Sequence, residues 1–136
     1  MTMTPSLSWP LRIAAGVAVI FGALTIASGG TVLFGGEAAR AAAGRIVPVV
    51  LWFNFLSGFA YVAAGIGIAL RRPWATRLSI AIAVAIAAVF ALFALQVAQG
   101  APYELRTAAA MTLRLTVWTL IAWLAVRSAP QGSGPA

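Results

Sequence analysis

Long charge-free apolar runs dominate the chain, from Ile13 to Gly36, from Ile46 to Leu70 and from Leu78 to Tyr103, with a fourth from Thr107 to Val126 broken only by Arg114. Each reaches about 20 residues, which at about 1.5 Å per residue of helix spans the roughly 30 Å of a bilayer's hydrocarbon. The third run, LSIAIAVAIAAVFALFALQVA, alternates Ile and Ala like a strand. A lone strand would leave its backbone groups unpaired in lipid, so the length and Ala content of this run predict a helix. Prolines mark the helix starts: Pro10 before the first run, Pro48 at the opening of the second and Pro73 at that of the third. The pattern predicts an all-α fold, an integral membrane antiparallel four-helix transmembrane bundle. Its spans cover about residues 11–34, 47–70, 75–99 and 105–126 of one domain, 1–127, and the tail 128–136 is expected to be disordered. A signal peptide is the alternative for the first run, with Arg12 as its basic region, but the apolar stretch is longer than such a segment needs.

In lipid, helices meet through close backbone approach and polar contacts. Ala18, Gly22, Thr25 and Gly29 form a stripe on the first span, and Asn54, Gly58, Tyr61 and Gly65 a similar one on the second. Both are expected to turn inward. Ala81, Ala85 and Ala88 are expected to offer the packing surface of the third span. On the fourth, Thr107, Ala110, Arg114, Trp118 and Ile121 share one face, with Thr112, Thr116 and Thr119 on roughly the other. A threonine can bond its own helix's carbonyl one turn back and tolerate lipid. An arginine has no such option, so the Arg114 face is expected inside.

Composition strengthens the membrane reading. Of 136 residues 62% are hydrophobic and 8% charged, with a mean hydropathy of +1.00, more apolar surface than a soluble domain of this length can hide. The absence of Cys and His excludes disulfides, thiol redox chemistry and Cys/His-ligated metal or haem sites. The net charge of +7 comes from nine arginines against two glutamates. Most arginines flank the apolar runs, so they speak for orientation in the membrane and not for nucleic acid. With a cytoplasmic N-terminus, that side holds Arg12, Arg71, Arg72, Arg77 and Arg127, and the other side Arg40, Arg45, Arg106 and both acids. Five against three predicts both termini inside. Trp9 and Trp74 then fall near the inner boundary, and Trp52 and Tyr103 near the outer one.

The chemistry gathers toward the outer half. Counting helix rise, Asn54 lies about 10 Å inward from Pro48 and Arg114 about 12 Å inward from Arg106, so the two share a depth. Gln96 ends the third span on the same side, and Glu104 suits the start of the fourth as an acidic cap. Two arginines beside the amides of a helix start can hold an anion. The candidate ligand-binding residues are therefore Arg114, Asn54, Glu104, Arg106, Tyr61 and Gln96. Two readings stay open: Glu104 or Glu37 neutralises Arg114 in a purely structural lock, or a ligand sits opposite it. Asn54 reads as glue between helices and Tyr61 as packing. The loop GGEAARAAAGR has the makings of a short helix on the membrane surface.

Only Glu37 and Glu104 could serve as a general acid or base, and neither has a His, Lys or Cys partner. No catalytic residue, metal or cofactor is expected. The leading expectation is a small non-enzymatic membrane protein whose Arg-containing pocket binds a small anionic or lipid-head-group ligand, or docks a membrane partner. An oligomeric small-solute or anion transporter or channel is the alternative, and an enzyme acting on a lipid-soluble substrate comes last. The expected partners are the lipid bilayer, a second copy or another membrane protein, and a small anion, with no nucleic acid. The segments FNFLSGFAYVAAGIG, RRPWA and YELRTAAAMTLR resemble a group of small bacterial four-helix inner-membrane proteins, similar in general layout to DoxX-like proteins. That resemblance implies a bacterial inner-membrane location and no activity, and it adds weight to Asn54, Tyr61, Glu104, Arg106 and Arg114.

Overall fold

The computed structural model describes residues 6–129, so the expected tail lies outside the described residues from 130 onward. Helix α1 covers Trp9–Phe34, α2 Gly36–Ala43, α3 Pro48–Ala69, α4 Pro73–Ala98 and α5 Leu105–Ser128. All but α2 are long and apolar enough to cross a membrane. Pro10, Pro48 and Pro73 each sit in the first turn of their helix, where a missing N–H breaks no intrahelical bond. The loop GGEAARAAAGR forms α2, entered through Gly36 and left through Gly44, both with φ near +80°.

The four long helices pack as a bundle with the cyclic order α1–α3–α4–α5, leaving α3 and α5 on one diagonal and α1 and α4 on the other. The tightest seam joins α1 to α3, where small residues let the two backbones touch. A Cβ on Gly22 would lie 2.7 Å from the carbonyl oxygen of Gly58, and one on Gly58 3.1 Å from the amide nitrogen of Ile26. Ala18, Gly22, Thr25 and Gly29 are buried on α1, and Gly58, Tyr61 and Gly65 on α3, so both stripes face inward as expected.

The third span departs from expectation. Helix α4 buries Ala75, Ser79, Ile82, Ile86 and Phe93, while Ala81 and Ala88 are exposed and Ala85 is half-buried. Small residues do meet near the α3–α4 turn, where a Cβ on Gly67 would lie 2.8 Å from that of Ala75, while farther along α4 the larger Ile82, Ile86 and Phe93 reach the core. Ala81 and Ala85 instead line a shallow apolar groove of about 350 Å³ between α3 and α4, beside Phe53, Leu56 and Ala60.

On α5, Met111, Trp118, Ile121, Ala122 and Ala125 are buried, and Thr112, Thr116 and Thr119 are exposed. The hydroxyls of Thr112 and Thr116 donate to the carbonyls of Ala108 and Thr112, each at 2.9 Å. Ile20, Leu24, Leu56, Val84, Leu95, Leu113 and Leu120 point outward. In water these would form an aggregation surface; in hydrocarbon they are matched to their solvent. The chain is a small integral membrane protein with four spans.

Candidate functional site

The expected site residues divide between two places. Glu104 and Arg106 sit at the α2 end of the bundle and bind the connection around α2. The carboxylate of Glu104 accepts the Arg45 backbone N–H at 3.0 Å, and the Arg106 guanidinium donates to the carbonyls of Ala42 and Ala43, each at 3.4 Å. Those carbonyls close the C-terminal turn of α2, where a cation is well placed against the helix dipole. Arg40 does the same for α1, donating to the Leu33 carbonyl at 3.3 Å. Glu104 occupies the N-cap position of α5 but makes no side-chain cap there, which corrects its expected role. Its carboxylate is drawn to Arg45, which Gly44 brings close: a Cβ at Gly44 would land on the Glu104 carboxylate. Glu104, Arg106 and Arg40 thus form a latch that holds the loops at this end. Glu37 is exposed on α2.

Arg114 takes no part in the latch. Its guanidinium makes no hydrogen bond or ion pair among the described residues, and its Nε is buried without a partner. What it faces is aromatic: the Arg114 Cζ lies 6.0 Å from the centre of the Phe21 ring on α1. Phe21 in turn packs on Tyr61, with centroids 6.0 Å apart, and Tyr61 on Trp118, at 4.8 Å. Tyr61 comes from α3 and Trp118 from α5, so these rings meet across the diagonal and fill the middle of the bundle. Both are fully buried, as is Ile86 of α4 beside them in the core.

On the α2 side of this plug lie Arg114, one turn from Trp118, and Asn54, two turns from Tyr61. Counting rise, the Asn54 backbone stands about 10 Å and the Arg114 backbone about 6 Å from the plug. The Arg114 Cζ faces Phe21, which packs on Tyr61, so the charge lies near the level of the plug. Asn54 is half-buried and makes no hydrogen bond among the described residues, so the interhelical bond expected of it does not form. Gln96 is half-buried near the same end of α4, one turn beyond the buried Phe93; its backbone carbonyl accepts the Ala101 N–H at 3.0 Å, but its side chain bonds to none of the described residues.

Among the described residues, four side-chain atoms are buried without a hydrogen-bond partner: Asn54 Oδ1, Tyr61 Oη, Arg114 Nε and Trp118 Nε1. Hydroxyls elsewhere in the spans avoid this fate by turning back on their own helix. Ser57 donates to Phe53 at 2.5 Å, Ser79 to Ala75 at 2.8 Å and Thr31 to Ala27 at 2.8 Å. An indole or a phenol held in the core cannot reach its own backbone in this way. Leaving a buried polar group unsatisfied costs roughly 1–3 kcal/mol, and more for a charge. The combined demand is a large fraction of the about 5–15 kcal/mol that holds a typical domain together. Three of the four atoms carry, or can offer, a proton to a guest, and one group is a cation.

Trp118 and Phe21 were not among the expected site residues. Trp118 carried a usable signal, since it follows Arg114 by one helical turn; Phe21 carried none, because only packing brings it near. A second feature was hidden as well. A recess of about 460 Å³ lies at the opposite end, where α3 turns into α4, and includes Arg71, Arg72 and Arg77 in its wall. Compared with protein-family models, curated protein sequences and solved structures, the chain matches none of them, so the likeness holds at the level of a small four-span membrane protein and no family is shown.

Proposed function

We propose that this membrane protein holds a small anion, of carboxylate or phosphate type, against Arg114, and does not transform it. The observation that carries the reading is Arg114 itself, an intramembrane arginine whose Nε is buried without a partner and whose guanidinium has no counter-ion among the described residues. Intramembrane charges are rare because they are expensive, at about 2.5–3.5 kcal/mol on insertion scales, and they tend to mark ligand or ion sites. Arg114 and Trp118 donate, Tyr61 can donate, and the Asn54 amide can turn either its oxygen or its nitrogen inward. An anion satisfies such a set, and a cation does not. Against catalysis stands the placement of the two acids, one exposed on α2 and the other engaged in the latch. Tyr61 and Trp118 fill the centre of a single bundle, so conduction would need an oligomer and a passage between subunits.

Arginine counting supports a bacterial inner membrane with both chain ends in the cytoplasm, so that the Arg114 compartment opens toward the outer half. The test is thermal unfolding of the protein in a neutral detergent, with and without a panel of small carboxylates and inorganic phosphate. An anion at about 100 times its Kd adds roughly 2.7 kcal/mol, a shift of several degrees for a chain of this size. The shift should appear in the wild type and vanish in Arg114→Met. If the panel leaves the wild type unmoved, or Arg114→Met responds equally, the reading is wrong.

A further inference from the structure

The recess at the α3–α4 turn lies at the end of the bundle away from Arg114. Its floor is apolar, with Leu11 of α1 and Ile68 of α3, and its rim carries Arg71, Arg72, Thr76 and Arg77. The exposed rings of Trp9 and Trp74 belong to the same end, the position that amphipathic aromatics take at headgroup level. Charge at this end is of one sign. Arg12, Arg71, Arg72, Arg77 and Arg127 gather here, whereas both acids of the chain, Glu37 and Glu104, belong to the α2 end.

Three of these arginines are engaged: Arg12 donates to the Leu7 carbonyl at 3.1 Å, Arg127 lies over the Trp123 ring at 5.1 Å, and Arg71 has a partner as well. The side chains of Arg72 and Arg77, by contrast, make no hydrogen bond or ion pair among the described residues. The backbone carries an independent sign. The end of α3 is closed by two bonds, Arg72 N–H to the Gly67 carbonyl at 2.8 Å and Arg71 N–H to the Ile68 carbonyl at 3.0 Å. This paired closure places Arg71 in the left-handed region, at φ +58°, a position where glycine is the usual residue. An arginine retained in a conformation that suits glycine points to a use for its side chain.

We propose that this recess binds the headgroup of an anionic phospholipid, the phosphate on the arginine rim and the glycerol and first methylenes against Leu11 and Ile68. Basic pockets between helices at the cytoplasmic surface take such headgroups, and the bilayer supplies the ligand at high local concentration. A phospholipid uses both halves of the recess, the charged rim and the apolar floor; free phosphate would use only the rim.

The experiment is lipid retention by native mass spectrometry on delipidated full-length protein in a neutral detergent. The additions are dioleoylphosphatidylglycerol, dioleoylphosphatidylcholine or inorganic phosphate. Phosphatidylglycerol should bind at a stoichiometric ratio, phosphatidylcholine should not, and millimolar phosphate should not displace it. Replacing Arg72 and Arg77 together by Gln should weaken phosphatidylglycerol by about 25-fold, near fivefold for each arginine lost at an anionic headgroup. Equal retention by the Arg72→Gln/Arg77→Gln double variant and the wild type overturns the proposal. So does displacement by phosphate alone, which would make the recess a phosphate site.

Discussion

The indole of Trp118 rests against the phenol of Tyr61 across the diagonal of the bundle, with ring centroids 4.8 Å apart and planes inclined by 37°. The pair joins the two helices that share no broad seam, and it separates the Arg114 compartment from the rest of the core. Packing and polarity can be tested apart at Tyr61. Tyr61→Phe keeps the ring and removes an unpartnered hydroxyl, so stability should stay the same or rise by about 1 kcal/mol. Tyr61→Ala opens a cavity and should cost about 3–5 kcal/mol. Unfolding in a mixed-micelle denaturant series reads both, and an equal loss in the two variants would show that the hydroxyl has a partner.

The α1–α3 seam should tolerate no added carbon. Gly22→Ala sets a Cβ 2.7 Å from the Gly58 carbonyl, a contact that only a backbone shift relieves, and should destabilise by about 1–3 kcal/mol. Gly16→Ala is the control. Nothing lies within 4 Å of its Cβ, and the gain in helix propensity makes a neutral or slightly stabilising outcome the expected one.

Cutting the latch should loosen one end and leave the bundle alone. Arg106→Ala removes both bonds to the α2 carbonyls, so amide exchange in α2 should speed up clearly while the long helices keep their protection. Because Arg106 is exposed, global stability should fall by less than about 1 kcal/mol. Exchange that rises equally along α1 and α3 would show that α2 braces the whole fold.

Orientation is open to labelling, since the chain has no native cysteine to interfere. A single Cys replacing Arg72 should react with a membrane-impermeant maleimide only from the cytoplasmic side, and one replacing Glu37 only from the outside. The reverse pattern would move the Arg114 compartment to the cytoplasmic half.

Much of the architecture is legible in the chain. Uninterrupted apolar length gives four spans, and the glycine and alanine spacing on α1 and α3 marks the faces that touch, because in lipid small residues are a contact signal. The threonine face of α5 could be told from the arginine face by asking which side chain can satisfy itself. The alanines of α4 misled because smallness signals contact only where two backbones are close, and that distance is set by the partner helix. Glu104 misled in a similar way. A carboxylate at a helix start suits a cap, but Gly44 delivers a backbone N–H from far along the chain, and sequence spacing does not reveal it. The identity of the groups around Arg114 was visible only in part, since Phe21 arrives from another helix.

The two seams of α3 differ in kind. Against α1, backbone meets backbone, and nothing there can be compressed or rotated aside. Against α4 stands the groove of Phe53, Ser57, Ile82 and Ala85, open sideways to lipid and adjoining Asn54 in sequence through Phe53. Side chains there can change rotamer without moving a helix axis. Of the two seams of α3, the one against α1 is therefore the stiff edge and the one against α4 the yielding edge.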